Sequence, residues 1–191
     1  CTWNPDGSLP SLCDDSGKTL YYQYDWCGRL KEISGENGEK IVSYDHTPGG
    51  KLAGIFYRNG IRTEYQYDAR GNMIHLKKKT GTAGILADFA YEYDGNGNRI
   101  AKTGDYCRLL DTGKYGLEKL LLSYGYDEKN RLIKEDKEVV SGEKKTEADA
   151  VGYRYDECGN RLEKVENGKR TIYNYNTKNQ LIRRETGEDS W

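Results

Sequence analysis

Acidic side chains at regular intervals are the first residues in this chain that could do chemistry. Asp25, Asp45, Asp68, Asp94, Asp127 and Asp156 each follow a tyrosine, and Asn176 takes the same place in a last copy. Carboxylates that act as general acid and base usually form one special pair in a cleft. A carboxylate that returns once per segment behaves instead as a turn-former, accepting hydrogen bonds from backbone N–H groups two or three residues on. Asp94 to Asn98, reading DGNGN, superficially matches the start of a calcium loop, but the sixth position is Arg99 rather than Gly and the twelfth is Asp105 rather than Glu. It reads as a turn, and no metal is expected. His46 and His75 are the two histidines, and neither makes a patterned pair with Cys, Ser or Asp. Cys1, Cys13, Cys27, Cys107 and Cys158 contain no CxxC pair and leave one over. A disulfide between Cys1 and Cys13 stays open, while Cys27 and Cys158 share one loop position and read as tolerated small residues. Neither a cofactor nor intrinsic catalysis is expected.

The tyrosines offer another chemistry, because sugar rings stack on exposed aromatic faces. They come in pairs two residues apart, Tyr22 with Tyr24, Tyr65 with Tyr67, Tyr91 with Tyr93, Tyr124 with Tyr126, Tyr153 with Tyr155 and Tyr173 with Tyr175, while Tyr44 stands alone in a weaker copy. Residues two apart on a strand share a face, and Gln23, Gln66, Glu92, Gly125, Arg154 and Asn174 between them are mostly polar. The regular parity favours a packed aromatic face over a glycan platform. The three tryptophans hold no periodic position.

The elements that carry these residues are hairpins. YQYDWCGRL from Tyr22, VSYDHTPGGKL from Val42, YQYDARGNMI from Tyr65, YEYDGNGNRI from Tyr91, YGYDEKNRL from Tyr124, YRYDECGNRL from Tyr153 and YNYNTKNQL from Tyr173 are seven copies of one pattern. A residue able to take positive φ closes each turn: Gly28, Asn130 and Asn179 alone, and Gly71, Gly97 and Gly159 each with a following Asn. Loops with the Gly-Asn pair read as one residue longer, the extra residue being absorbed as a bulge near the glycine. The returning strands set Leu first and a second aliphatic three later, so they either bend or bury both faces. Asn37-Gly38, Asn59-Gly60 and Asn167-Gly168 read as two-residue type I′ connections between hairpins. Where that dipeptide is missing, extra residues fall at 79–88, 102–120 and 136–150, all on one edge of the sheet. The middle insertion is expected to pack back or form a helical turn, and the last to be solvated or mobile. Residues 1–19 read as an irregular opening segment, 20–184 as seven hairpins, and 185–191 as a tail.

Of the 191 residues 35% are hydrophobic and 32% charged, and 17 Tyr stand against 2 Phe, so the core is amphipathic. Lys and Arg (30) balance Asp and Glu (31) and are interspersed with them, which argues against a nucleic-acid partner. No apolar run is long enough to span a membrane. The chain opens on Cys1 and ends without a clear cap, so it reads as a piece of a longer polypeptide.

YxYDxxGNRL at this recurrence resembles the YD repeat of bacterial Rhs proteins, of the shell subunits of insecticidal Tc toxins and of animal teneurins, over residues 20–184. The resemblance implies an all-β fold, with tandem antiparallel hairpins in a twisted, curved sheet that spirals into a hollow shell. It also implies a secreted or surface location and, as partner, the rest of the chain's own polypeptide, often an enclosed C-terminal toxin. The closing signature that usually precedes that toxin in Rhs proteins is absent from this sequence. The role expected is structural, and the alternative is a glycan- or cell-surface-binding module. Bare sheet edges would add edge-to-edge self-association.

Overall fold

The computed structural model describes residues 3–81, 84–109, 113–142 and 144–188, the side chains of Thr146 and Glu188 excepted. Cys1, and with it the Cys1–Cys13 pairing, lies outside the described residues. Fifteen strands follow one another: β1 (Ser11–Cys13), β2 (Thr19–Tyr24), β3 (Leu30–Ser34), β4 (Lys40–His46), β5 (Leu52–Tyr57), β6 (Arg62–Tyr67), β7 (Met73–Thr80), β8 (Gly84–Tyr93), β9 (Arg99–Leu109), β10 (Tyr115–Tyr126), β11 (Leu132–Ser141), β12 (Lys144–Tyr155), β13 (Arg161–Glu166), β14 (Lys169–Tyr175) and β15 (Leu181–Glu188). They are hydrogen-bonded in chain order, and there is no helix among the described residues. Two compact units divide within β8, Cys1–Asp88 and Phe89–Trp191.

Aromatic and aliphatic residues alternating with polar ones favour extended chain, and each strand pairs with the next through a short turn. The hairpin geometry is the same in both units. In β2–β3, Tyr24 faces Leu30 and Gln23 faces Glu32, leaving Lys31 extra; the second tyrosine-face pair is then Tyr22 with Ile33. This bulge explains the three-residue step between the two aliphatics of the returning strand, since both end up opposite a tyrosine. The same shift stands at Gln66/Tyr67, Gly125/Tyr126, Arg154/Tyr155 and Asn174/Tyr175. It therefore accompanies every motif turn whose register is described and is not confined to those with a Gly-Asn pair.

The insertions lengthen strands. The middle one runs as β9 and β10, in register from Ser123 opposite Ala101 to Tyr115 opposite Leu109, with no helical turn among its described residues. The last, expected to be solvated or mobile, is β11 and β12, ladder-paired from Lys134 with Gly152 to Ser141 with Lys144. Many small turn formers had masked the period-two pattern. Residues 1–19 hold β1 and two regular turns, and β15 continues to Glu188 past the expected end of the array.

A single layer of strands buries little. Among the described residues Val42, Tyr91 and Val139 are the buried hydrophobic ones, with Val139 fully enclosed, and Ser34, Thr63, Glu118, Glu163 and Thr171 are buried polar ones. Most motif tyrosines are half-buried, so cross-strand pairs carry much of the packing.

Candidate functional site

The repeating turn is the feature on which the motif residues converge. The N–H of Asp25 donates to the Arg29 carbonyl (2.8 Å) and that of Gly28 to the Asp25 carbonyl (2.9 Å). Two turn corners thus lead to one residue of positive φ, Gly28 at 76°. The same two bonds close the turns beginning at Asp68, Asp94, Asp127, Asp156 and Asn176. All these loops have one length. The Asn after Gly71, Gly97 and Gly159 is no added residue, because Asn72, Asn98 and Asn160 take the place of Arg29 and Arg131.

In each turn the carboxylate Oδ1 accepts backbone N–H groups, as from Lys129 (2.9 Å) and Arg131 (2.9 Å) at Asp127. Oδ2 takes the side chain of the fourth residue, from Arg29 (2.7 Å), Asn72 (2.9 Å), Asn98 (2.9 Å), Arg131 (2.6 Å) and Asn160 (2.8 Å). The backbone donors thus lie two and four residues on, rather than two or three. These bonds hold the carboxyls below the usual carboxylate range, with the side chain of the fourth residue the largest cause at Asp25, Asp68, Asp94 and Asp156, and its backbone N–H at Asp127. At Asp94 the oxygens that a calcium ion would need are already engaged by Asn96 and Asn98.

Asp45 does not form a turn. It lies in β4 opposite Gly54, and the loop begins at Thr47, whose N–H donates to the Lys51 carbonyl (2.7 Å) and whose hydroxyl accepts the Lys51 N–H (3.1 Å). Tyr44 therefore stands where other copies have their first tyrosine and His46 where they have their second; threonine replaces aspartate, which hid the alignment. The same turn recurs at Asn4, Asp14, Gly35 and Tyr57, so Asn37-Gly38 and Asn59-Gly60 also belong to it. Only Asn167-Gly168 of the three expected connections has positive φ at both residues, 50° and 83°.

Within each unit hairpins are tied to their neighbours. The hydroxyls of Tyr24, Tyr67, Tyr126, Tyr155 and Tyr175 donate to the carbonyls of Leu9, Leu52, Arg99, Leu132 and Arg161, each five residues after the start of the preceding motif turn. Turn also touches turn: Arg29 reaches the Thr47 carbonyl (3.3 Å), Arg131 the Asp156 carbonyl (2.7 Å), Asn98 the Asn130 amide (2.7 Å) and Asn160 the Asn179 amide (2.9 Å). Guanidinium groups stack on the rings, Arg99 on Tyr91 and Tyr124, Arg131 on Tyr155, and Arg161 on Tyr153 and Tyr173, at 4.9–5.8 Å. On each of these five rings one face is covered by the protein's own arginine. The arginine after Gly-Asn was the unread signal in the motif.

Two ionic clusters lie away from the turns. Glu118, 5% exposed, accepts from Tyr106 (3.1 Å) and Arg108 (3.3 Å); Arg108 also meets Glu147 (2.7 Å), which Lys137 contacts at 2.9 Å. Lys137 and then Arg108 hold the Glu147 carboxyl down to about 2. In the first unit His75 meets Asp88 (2.6 Å), and Lys77 pairs with the same carboxylate. Burial, the largest single influence on Asp88, opposes its ionisation, yet the bonds from Lys77 and His75 together prevail and lower it. Among the described residues no group of three His, Cys, Asp or Glu side chains could hold a metal ion.

The crystal structures of TcdB2-TccC3-TEV and TcdB2-TccC3-Cdc42 superpose on 95% of the chain, each with a TM-score of 0.76, at 21% and 20% identity. The chain has the YD-repeat shell fold. No family model matches its sequence. A stretch of 72 residues is 33% identical to the double-stranded DNA deaminase toxin A of Burkholderia cenocepacia and covers 38% of the chain. The chain spans 10% of each Tc-toxin chain and 5% of the deaminase toxin. In this YD-repeat sheet, the tyrosine, the turn carboxylate and the fourth-residue side chain are parts of one hairpin-to-hairpin joint.

Proposed function

We propose that the chain is a non-catalytic strip of a β-shell within a longer, toxin-associated polypeptide, secreted or presented at a surface, and that the shell encloses or presents another part of that polypeptide. One observation carries the reading: the repeated polar groups are engaged within their own turn or with the neighbouring hairpin. The turn carboxylates, the second tyrosines and the fourth-residue side chains bond their own turn or the neighbouring one, leaving a wall whose chemistry is directed along itself. The likeness to the Tc-toxin structures and to a toxin sequence supports the association.

The test is to express the complete polypeptide that contains this strip, image it by electron cryo-microscopy and follow limited proteolysis. The expected result is a closed β-wall with a segment inside that resists protease until the wall is denatured. A neighbouring segment lying outside the wall and cleaved at its unfolded rate would overturn the reading.

A further inference from the structure

Four Asn-Gly pairs stand in turns of the chain: Asn37-Gly38, Asn59-Gly60, Asn96-Gly97 and Asn167-Gly168. This dipeptide is chemically labile, because glycine lacks the side chain that would hinder attack by its backbone nitrogen on the asparagine amide carbon. The structure treats the four side chains very differently. Asn167 is held at both ends, its Oδ1 accepting the Ala150 N–H (2.8 Å) and its Nδ2 donating to Asp149 Oδ1 (2.8 Å). Asn96 donates to Asn130 Oδ1 (2.9 Å), and Asn59 accepts the Ile61 N–H (3.1 Å). Asn37 is exposed, and its contact is through its backbone N–H, to Glu39 Oε2 (3.1 Å), which leaves its amide able to rotate.

We propose that Asn37 is a spontaneous modification site, where the folded chain deamidates, while Asn167 is protected by the sheet. In the first step Gly38 N attacks Asn37 Cγ. The N–Cγ bond forms, the Cγ–Nδ2 bond breaks, the Gly38 proton passes through water to the departing group, and ammonia leaves behind a succinimide. Water then opens the ring at either carbonyl, giving aspartate or isoaspartate; the net change is amide plus water to acid plus ammonia, with no oxidation. The hydrogen bond from Gly38 N to the Gly35 carbonyl (3.0 Å) must open first, but equivalent bonds restrain Gly60 and Gly97, so it does not set Asn37 apart from them. The product places a carboxylate between Glu36 and Glu39, and the isoaspartate form adds a backbone atom to the turn joining β3 to β4.

Asn37 and Asn167 provide an internal comparison, since both sit in a Glu-Asn-Gly sequence. Their intrinsic rates should match, and a difference should come from the fold. The experiment is to incubate the chain in mildly alkaline buffer and count isoaspartate at each site by peptide mass spectrometry, folded and in urea. The expected result is that Asn167 reacts roughly fivefold more slowly than Asn37 when folded, the net of the two bonds that hold the Asn167 side chain and the one that holds Gly38 N. In urea the two rates should converge, and Asn37→Gln should remove the first-appearing product. Equal folded rates at the two sites, or a faster Asn167, would overturn the proposal.

Discussion

At the third position after each turn aspartate the chain must take positive φ, and the residues found there are Gly28, Gly71, Gly97, Gly159 and Asn130. Space does not impose this choice at Gly159, where an added Cβ would meet nothing within 4 Å; the backbone conformation alone does. Gly159→Ala should therefore cost about 1 kcal/mol and lower the melting temperature by about 2–4 °C, while Gly159→Asn should cost less than half as much. Thermal melts followed by circular dichroism would decide, and equal losses for the two variants would show that φ is not the constraint. The position was legible from Gly and Asn alternating along one column of the sequence. What was not legible was the fourth residue. Arg29, Asn72 and Asn160 differ in size and charge, yet each bonds Oδ2 of its aspartate, and a Gly-Asn pair therefore looked like an insertion.

Among the elements, the hairpin was written plainly in the paired tyrosines, while its bulge showed only as an unexplained three-residue step from Leu30 to Ile33. Alternation can be read from single residues, but a bulge depends on which residues face each other across two strands. The second copy was hidden for a different reason, because Thr47 performs the aspartate's role two positions after Asp45. Joining of hairpins rests on the second tyrosine of each pair. Tyr155→Phe keeps the ring under Arg131 and deletes only the bond to the Leu132 carbonyl, so a loss of about 1 kcal/mol is expected in urea unfolding. Tyr21→Phe, on an exposed ring of the opposite parity, should change little. A Tyr155→Phe protein as stable as the parent would mean that water replaces the tyrosine without loss.

For the molecule as a whole, acid is the condition that tests the turns together. Asp25, Asp68, Asp94, Asp127 and Asp156 are all held, when folded, below the ordinary aspartate value of 3.8, and Glu147 is lowered from 4.5 to about 2. The unfolded chain therefore takes up protons first as the pH drops. The stabilisation is complete above the unfolded values and is lost as pH falls through the lowered folded ones. The urea midpoint should hold steady near neutrality and fall steeply from about pH 4 downward, with more than one proton bound per molecule unfolding. A midpoint independent of pH across that range would remove the turn carboxylates from the account of stability. In the second unit the two ends of the hairpins also differ. Along one, the turns starting at Asp94, Asp127, Asp156 and Asn176 keep a fixed length and bond to their neighbours; along the other, connections range from Asn167-Gly168 to the long β9–β10 pair. That unit thus has a constant selvage and a free hem. Foreign peptide spliced at the Asn167-Gly168 connection should be carried without disturbing the joints on the far side, whereas one added residue between Asp127 and Arg131 should break the seam. Genes encoding such sheets would then gather length changes along one margin only, and that margin is where variants should be built to carry a probe.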